Sequence, residues 1–347
     1  MDLPTVQLGQ RYTPARDVRI LVTGITGRIG ANLAAALVAQ GHAVRGLVWA
    51  RDARVEKLEG LGVELVYGSL TEADDVRRAV AQTDAIYHLG GAFQGGGPFT
   101  TDEYFEINVR GTYLVLEACR ALGDSLRHLL FASTDALYDK YVPGGMTEPI
   151  DPDRTPRRPR GWYALSKSLG EELCSGYVRS FRMPITILRF ALVVGAGEIA
   201  DFHQFYLSRL KETHKDLTPL WQESDGEERL VVVRDERGRS WRKHVADVRD
   251  IVGACVAALG KRDAFGETFQ LAGPAPFTWD DAVPYLSRKL GIPYVEGTTS
   301  STPTYYEYDL TKLRRLTGYA PQYAIHRMID DAVAFKRGEE IGVLPTR

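Results

Sequence analysis

The stretch VRILVTGITGRIG, residues 18–30, constrains this chain most. A short apolar run, Val18-Arg19-Ile20-Leu21-Val22, leads into Gly24, Gly27 and Gly30, and a helix-forming stretch, Ala31 to Gln40, follows. Strand, glycine-rich turn and helix in that order bend the chain sharply. They also bring bare backbone N–H groups to a helix N-terminus, where the peptide dipoles favour negative charge. A pyrophosphate suits such a turn. The spacing is G-x-x-G-x-x-G rather than G-x-G-x-x-G, and three glycines alone say little. Their place after a strand and before a helix predicts a dinucleotide site, the alternative being a strand–helix turn with no ligand.

The rest of the chain supports a doubly wound α/β sheet of the Rossmann type. Strand-like runs at 18–23, 43–48, 63–66, 84–89, 127–132 and 184–190 alternate with helical stretches at 29–40, 53–59, 72–80, 102–122 and 162–181. Such alternation predicts a parallel sheet covered on both faces. Five prolines between Tyr141 and Gly161 mark an exposed connection. After Gly195 the alternation breaks down. Val231-Val232-Val233 reads as one arm of a hairpin turning near Gly238, and helices return at 247–259, 278–290 and 309–317. The expected plan is an N-terminal arm over 1–16, a dinucleotide-binding domain over 17–195, and a smaller α/β substrate lobe over 196–347, with 244–272 returning to the first domain.

Charge excludes some functions. Lys+Arg (43) nearly balances Asp+Glu (45), so no broad basic surface for nucleic acid is implied. Cys119, Cys174 and Cys255 are too scattered for a disulfide framework or a zinc site; no metal is expected, and a reducing cytoplasm fits. No apolar run reaches the roughly 18 residues of a membrane span.

Two further features carry chemistry. Tyr163 and Lys167 stand four apart ahead of a helix, so both project from one face. An ammonium one turn from a phenol lowers its pKa from about 10 toward neutrality, which makes the tyrosine a general acid/base at a carbonyl or carbinol. The bland alternative is an amphipathic surface pair. The strand 127–132 ends in Ala132-Ser133-Thr134-Asp135, and the C-terminal strand ends are where doubly wound sheets bind ligands. Thr134 is placed to hold the reacting oxygen beside Tyr163, or else is part of an ordinary turn.

Taken together, the chain resembles the extended short-chain dehydrogenase/reductase family, the NAD(P)-dependent sugar epimerases and dehydratases. The motifs are Thr23-Gly24-Ile25-Thr26-Gly27-Arg28-Ile29-Gly30, Tyr87-His88-Leu89-Gly90-Gly91, Asn108-Val109-Arg110-Gly111-Thr112, Tyr163 with Lys167, Leu188-Arg189-Phe190 and His244-Val245-Ala246-Asp247. The resemblance implies hydride transfer to a nicotinamide. Tyr163 would be the acid/base, with Lys167 on the ribose hydroxyls and depressing the tyrosine pKa, and Thr134 orienting the substrate oxygen. It places the cofactor on Gly24, Thr26, Gly27, Arg28, Ile29 and Gly30. At the adenosine end it adds Trp49, Arg51, Ser69 and Leu70, with Trp49 either stacking on adenine or packing against the first helix. Leu89, Gly90, Gly91, Asn108, Ala132 and Phe190 complete the cofactor set together with Tyr163 and Lys167. Substrate would meet Phe93, Thr134, Asp135, Arg242 and His244. It also implies a homodimer through the helices near 102–122 and 162–181.

Departures from the family pattern narrow the reaction. Dehydratases carry Thr-Asp-Glu where this chain has Thr134-Asp135-Ala136, so dehydration is not expected; Asp135 is a donor, a substrate ligand or a turn cap. Where sugar-nucleotide members carry R-D-[FY]-[IV], this chain has Ser240-Trp241-Arg242-Lys243. In place of N-V-Y-G-P stands Ala191-Leu192-Val193-Val194-Gly195. Both losses argue against a nucleotide diphosphate and point to a free sugar, sugar acid or similar polyol. Arg242, Lys243 and His244 then meet a carboxylate or form a solvated hairpin. Val48 holds the position where NAD-preferring members have an acid. Arg28 and Arg51 suit a 2′-phosphate, whereas Asp52 suits the ribose diol, so NAD and NADP both stand, the balance slightly toward NADP. The expected function is an NAD(P)-dependent oxidoreductase acting on a carbohydrate-like alcohol or ketone. The alternatives are a nucleotide-sugar epimerase and a non-catalytic dinucleotide-binding sensor, the latter disfavoured by the retained Tyr163, Lys167 and Thr134.

Overall fold

A computed structural model describes residues 18–94, 97 and 99–346; the expected arm over 1–16 lies outside the described residues. The chain runs β1 (Arg19–Thr23), α1 (Arg28–Ala39), β2 (Ala43–Val48), β3 (Glu64–Tyr67), α2 (Ala73–Val80), β4 (Ala85–His88), α3 (Thr101–Tyr104), α4 (Gly111–Arg120), β5 (His128–Thr134), α5 (Gly161–Phe181) and β6 (Ile185–Phe190). It continues through β7 (Leu192–Val194), α6 (Leu207–Leu210), α7 (Thr218–Glu223), β8 (Leu230–Asp235), β9 (Arg242–Lys243), β10 (Val245–Asp247) and α8 (Val248–Ala258). The last elements are β11 (Thr268–Leu271), β12 (Phe277–Thr278), α9 (Trp279–Leu290), β13 (Tyr294–Thr299), α10 (Thr311–Thr317) and α11 (Ile325–Lys336).

Seven strands form one parallel sheet in the order β11-β6-β5-β4-β1-β2-β3. The order reverses between β1 and β4, and open α/β sheets bind ligands at the C-terminal ends flanking such a reversal. Ile20, Leu21 and Val22 are fully buried because helices cover both faces, which is why these strands read as continuous apolar runs. One face packs on α1, α8 and α10, with Leu33, Leu37, Ile251 and Leu313 in a common core. The other packs on α2, α4 and α5 around Val76, Leu116 and Cys174. A third core lies in the lobe, where Phe205, Trp241, Phe277 and Trp279 stack edge to face against β8.

Several local expectations change. The stretch 53–59 is a 3-10 turn (Ala53–Leu58) capped by the Asp52 carboxylate, not an α-helix. The stretch 102–122 is interrupted by a π turn (Phe105–Arg110) between α3 and α4. The hairpin does turn at Gly238, with Trp241 N donating to Val233 O at 3.0 Å. The main partner of β8, however, is β13, paired in parallel over six residues. β11, β13 and α11 were not anticipated; β11 is only four residues long and gains its identity from register with β6. The last described residues return to α1, where Leu344 N donates to Asn32 Oδ1 at 2.8 Å and Asn32 Nδ2 donates to Leu344 O at 3.1 Å. Among the described residues no helix is long and apolar enough to cross a membrane.

Candidate active site

The glycine turn is built by close approach. Gly24 has φ +69°, and a Cβ on it would lie 2.8 Å from the Gly90 Cα. A Cβ on Gly30 would lie 2.2 Å from the Gly24 carbonyl oxygen. Those two positions admit no side chain. Gly27 caps α1 without any side-chain acceptor, so the first-turn amides are left for an external anion. The bare cradle fits a dinucleotide pyrophosphate. Behind it, Gly90 N donates to Thr23 Oγ1 at 3.0 Å, and that hydroxyl meets His88 Nδ1 at 2.8 Å. His88 Nε2 meets Thr112 Oγ1 at 3.1 Å, while Thr112 donates to Asn108 O. Burial holds His88 down at about 3, so it is a neutral link in this chain of bonds.

Beyond the end of β2, Thr26 Oγ1 donates to Asp52 Oδ2 at 2.5 Å. Arg54 grips the same carboxylate with Nε at 2.8 Å and Nη2 at 2.7 Å. That hydrogen bonding, reinforced by Thr26, holds Asp52 down at about 2 despite its partial burial. An acid therefore reaches the glycine turn from four residues beyond the end of β2. Arg28 departs from its expected place at a cofactor phosphate. Its Nη1 donates to Val193 O at 2.7 Å and its Nη2 to Glu198 Oε1 at 2.9 Å, so its charge is already matched. Ile29 packs against the core. Trp49 (59% exposed) and Arg51 stand in solvent at the end of β2, so the Trp49 ring is not a core group. Ser69 N is anchored to Asp75 Oδ2 at 2.8 Å, and the next residue, Leu70, lies against Gly90, where a Cβ would come within 2.8 Å of its Cδ1.

The π turn places Asn108 where three bonds meet. Its Oδ1 accepts from Ala92 N at 2.7 Å, and its Nδ2 donates to Ala92 O at 3.0 Å and Ser166 Oγ at 2.9 Å. Ser166 Oγ donates to Tyr163 O at 2.8 Å. Asn108 thus braces the loop after β4, where Leu89, Gly90 and Gly91 lie, against the helix carrying Tyr163, and its amide is used up by protein. Helices with one extra residue per turn commonly mark functional sites.

Tyr163 lies edge-on to the Phe93 ring at 5.6 Å and near Tyr104 at 6.3 Å. Burial pushes its phenol up to about 12, the Thr134 hydroxyl pulls it back, and the charge of Asp135 adds to the rise. The sequence reading gave the downward pull to Lys167. The structure puts the Lys167 Nζ over the Phe131 ring at 4.3 Å, where burial brings it down to about 8. Thr134 pairs with Phe190 across β5 and β6, so both sit at the C-terminal edge near Ala132.

The substrate side holds the largest corrections. Asp135 is not open to a ligand: its Oδ2 accepts from Lys140 Nζ and from the Tyr308 hydroxyl at 2.5 Å. His244 is not open either. Its Nδ1 accepts from Tyr308 N at 3.1 Å, which makes Nε2 the donor to Gly273 O at 2.9 Å; both nitrogens serve the backbone, and burial keeps the ring neutral at about 4. Arg242 stacks on Tyr305 at 4.5 Å and pairs with Glu307 at 3.2 Å. Sequence reasoning missed Lys140, Glu198, Gln204 and Tyr308. The aromatic run Tyr305-Tyr306-Glu307-Tyr308 was the one signal available for the last of these.

Residues 20–272 match the NAD dependent epimerase/dehydratase family. The chain is 26% identical over 336 residues to the uncharacterized UDP-glucose epimerase YtcB of Bacillus subtilis, covering 92% of this chain and 98% of that one. It is 29% identical over 185 residues to D-erythronate dehydrogenase of Cupriavidus necator, a match spanning 51% of this chain and 55% of the relative. A short-chain dehydrogenase/reductase superfamily protein from Agrobacterium tumefaciens, solved with bound NAD, superposes with a TM-score of 0.77 at 31% identity, over 92% of this chain and 97% of that one. UDP-glucuronic acid 4-epimerase from Bacillus cereus, in complex with NAD, gives 0.71 at 22% identity over 92% and 99%, a likeness of fold alone. The chain therefore belongs to the NAD-dependent epimerase/dehydratase family, within the extended short-chain dehydrogenases/reductases, and is an epimerase or oxidoreductase that uses a nicotinamide dinucleotide.

Proposed function

We propose that the protein is an NAD-dependent dehydrogenase of a small polyhydroxy compound, a free sugar or sugar acid, rather than an enzyme of nucleotide sugars. One observation carries this reading. The guanidinium groups that a sugar-nucleotide diphosphate would need are already paired inside the lobe. Arg234 binds Asp280 and Glu296, Arg239 binds Asp235, and Arg242 binds Glu307. The sugar-acid activity in the name of the Cupriavidus relative points the same way.

NAD is favoured over NADP, against the slight sequence-level preference. Asp52 stands at Thr26, where it would exchange a bond from Thr26 or Arg54 for the ribose diol, and Arg28, the guanidinium nearest the turn, is committed to Glu198. The first-turn amides of α1 and the bare faces of Gly24, Gly27 and Gly30 hold the pyrophosphate. Ser69 and Leu70 border the adenine, and Leu89, Gly90, Gly91, Ala132 and Phe190 border the nicotinamide half. NAD held there would supply the hydride chemistry at the substrate carbon. Thr134 Oγ1 orients the substrate oxygen and Phe93 covers it. Tyr163 is protonated at rest, the form that donates to a carbonyl. In the oxidative direction it must first give up its own proton to solvent, and the phenolate, stabilised by Thr134, then takes the carbinol proton. Lys167 reaches the ribose hydroxyls from its place over Phe131. Exposed Leu169 and Phe181 on α5, beside Val109, support the expected homodimer.

The test is net NADH formation from NAD⁺ with a panel of free sugars and sugar acids, beside a panel of UDP-sugars. NADH from a free sugar or sugar acid, lost in Tyr163→Phe, is the expected result. UDP-sugar interconversion without net cofactor use would establish the epimerase instead, the activity named for YtcB.

A further inference from the structure

Two lysines are buried beside the strand end that carries Thr134, and they are satisfied unequally. Lys140 donates to the Asp135 carboxylate, to the Tyr308 hydroxyl at 3.1 Å and to the Asp135 carbonyl at 3.3 Å. Lys243, on β9 and only 5% exposed, makes one hydrogen bond among the described residues, to the neutral Gln204 Oε1 at 2.9 Å. The Phe202 ring lies 5.0 Å from Nζ. An ammonium has three donors, and here one is met. A buried cation without a counter-charge is strongly disfavoured unless an anion joins it.

The position of this lysine ties it to the chemistry. Asp135 directly follows Thr134, and Lys243 is close enough to feel both Asp135 and Lys140, while His203 in turn feels Lys243. Asp135 is already taken by Lys140 and Tyr308, so it leaves Lys243 uncompensated. Gln204 is held in place through its carbonyl, which accepts from Trp279 Nε1 at 3.1 Å. Its side chain is therefore a fixed partner for whatever Lys243 binds.

We infer that Lys243, with Gln204 beside it, reads a carboxylate on the substrate, so that the site takes a sugar acid in preference to the neutral sugar. This rests on the dehydrogenase reading for its reaction but not for its binding site. The carboxylate would sit at Lys243 and the reacting hydroxyl carbon at Thr134 and Tyr163. Of the three groups expected to meet such a carboxylate, Arg242 and His244 are spent elsewhere and Lys243 remains. Burial lowers Lys243 to about 7, with Lys140 adding to the fall. An empty site is therefore only partly charged near neutral pH, and an arriving carboxylate draws the proton on.

The test is calorimetric titration of the NAD-saturated protein with D-glucuronate, D-galacturonate and D-gluconate, each beside its neutral amide. At least one acid should bind about ten- to hundredfold more tightly than its amide, the range of one or two charge-assisted hydrogen bonds. Lys243→Met should erase that preference while leaving amide affinity and NAD affinity unchanged, the latter confirming the fold; Lys243→Arg should keep part of it, and Gln204→Leu should weaken it less. Equal binding of acid and amide, no binding of any acid, or a preference that survives Lys243→Met would each overturn the assignment. Acid-selective binding with no NADH formed would uphold the carboxylate site and remove the dehydrogenase reading. NADH formed equally from acids and neutral sugars would do the reverse.

Discussion

The two walls of the cleft are made on different terms. The sheet wall is shaped by backbone. Gly24 and Gly30 close onto neighbouring main chain, and Thr23, His88, Asn108 and Ser166 spend their side chains bracing the loops around them. The lobe wall is shaped by buried charge. Asp135 and Lys140, five residues apart, meet Tyr308 from far down the chain, and Lys243, from a third segment, is left short of partners. A wall that binds the same dinucleotide in every turnover can be finished in advance. A wall that discriminates between substrates keeps one interaction for the ligand to complete.

That contrast can be tested from both sides. The largest effect should come where the walls meet. Tyr163→Phe removes the proton relay and should lower kcat by about 10²–10⁴-fold with NAD affinity unchanged, read by NADH formation beside an NAD titration; full activity would remove Tyr163 from the chemistry. Next comes Lys140→Met on the lobe wall, which strands the Asp135 carboxylate in the interior. Stability should fall by about 3–5 kcal/mol in denaturant unfolding, and adding Asp135→Asn should recover much of it. A loss under about 1 kcal/mol would show the pair to be solvated.

On the sheet wall, Gly30→Ala pushes a methyl group into the Gly24 carbonyl. It should cost about 1–3 kcal/mol, divided between melting temperature and NAD affinity. Asp52→Asn should weaken NAD about tenfold and NADP less, narrowing the ratio of the two; an unchanged ratio would take Asp52 away from the ribose. The smallest effect is one of pH. Lys243 lies near 7 in the free protein, and its bound carboxylate favours the protonated form. Affinity for a sugar acid should therefore be full below pH 7 and fall by up to about tenfold per unit above it. Asp135 is already paired with Lys140, and His203, whose shift is downward, titrates below that window. Lys243→Met should flatten the profile.

How legible each wall was follows from the same contrast. Gly24, Gly27, Gly30, Tyr163 and Lys167 announce themselves because a strand, a turn or one helical turn fixes their spacing. Thr134 stood out because a strand end is a local feature. Arg28 lies inside the best motif and was misjudged, because its partner Glu198 is 170 residues away. His244 sits in a motif that looks functional, yet both of its nitrogens go to the backbone of Gly273 and Tyr308, contacts no local pattern encodes. The Lys140–Asp135 pair is only five residues apart, but its burial depends on Tyr308, a long way down the chain. The fold was read nearly whole where apolar runs alternate. It was lost at β11, β13 and α11, which take their form from what they pack against.

The Arg28–Glu198 pair has a thermodynamic consequence. Arg28 begins the helix proposed to receive the dinucleotide, and Glu198 lies in the lobe just after Gly195, whose amide donates to it at 2.8 Å. Thr346 donates to the same carboxylate at 2.7 Å, so three distant segments share one knot. If the lobe shifts when substrate enters, that knot carries the strain to the cofactor helix, and the two ligands become linked. Linkage runs equally both ways. The factor by which a sugar acid tightens NAD must be the factor by which NAD tightens the sugar acid, and loosening the knot with Arg28→Met should bring both factors toward one together.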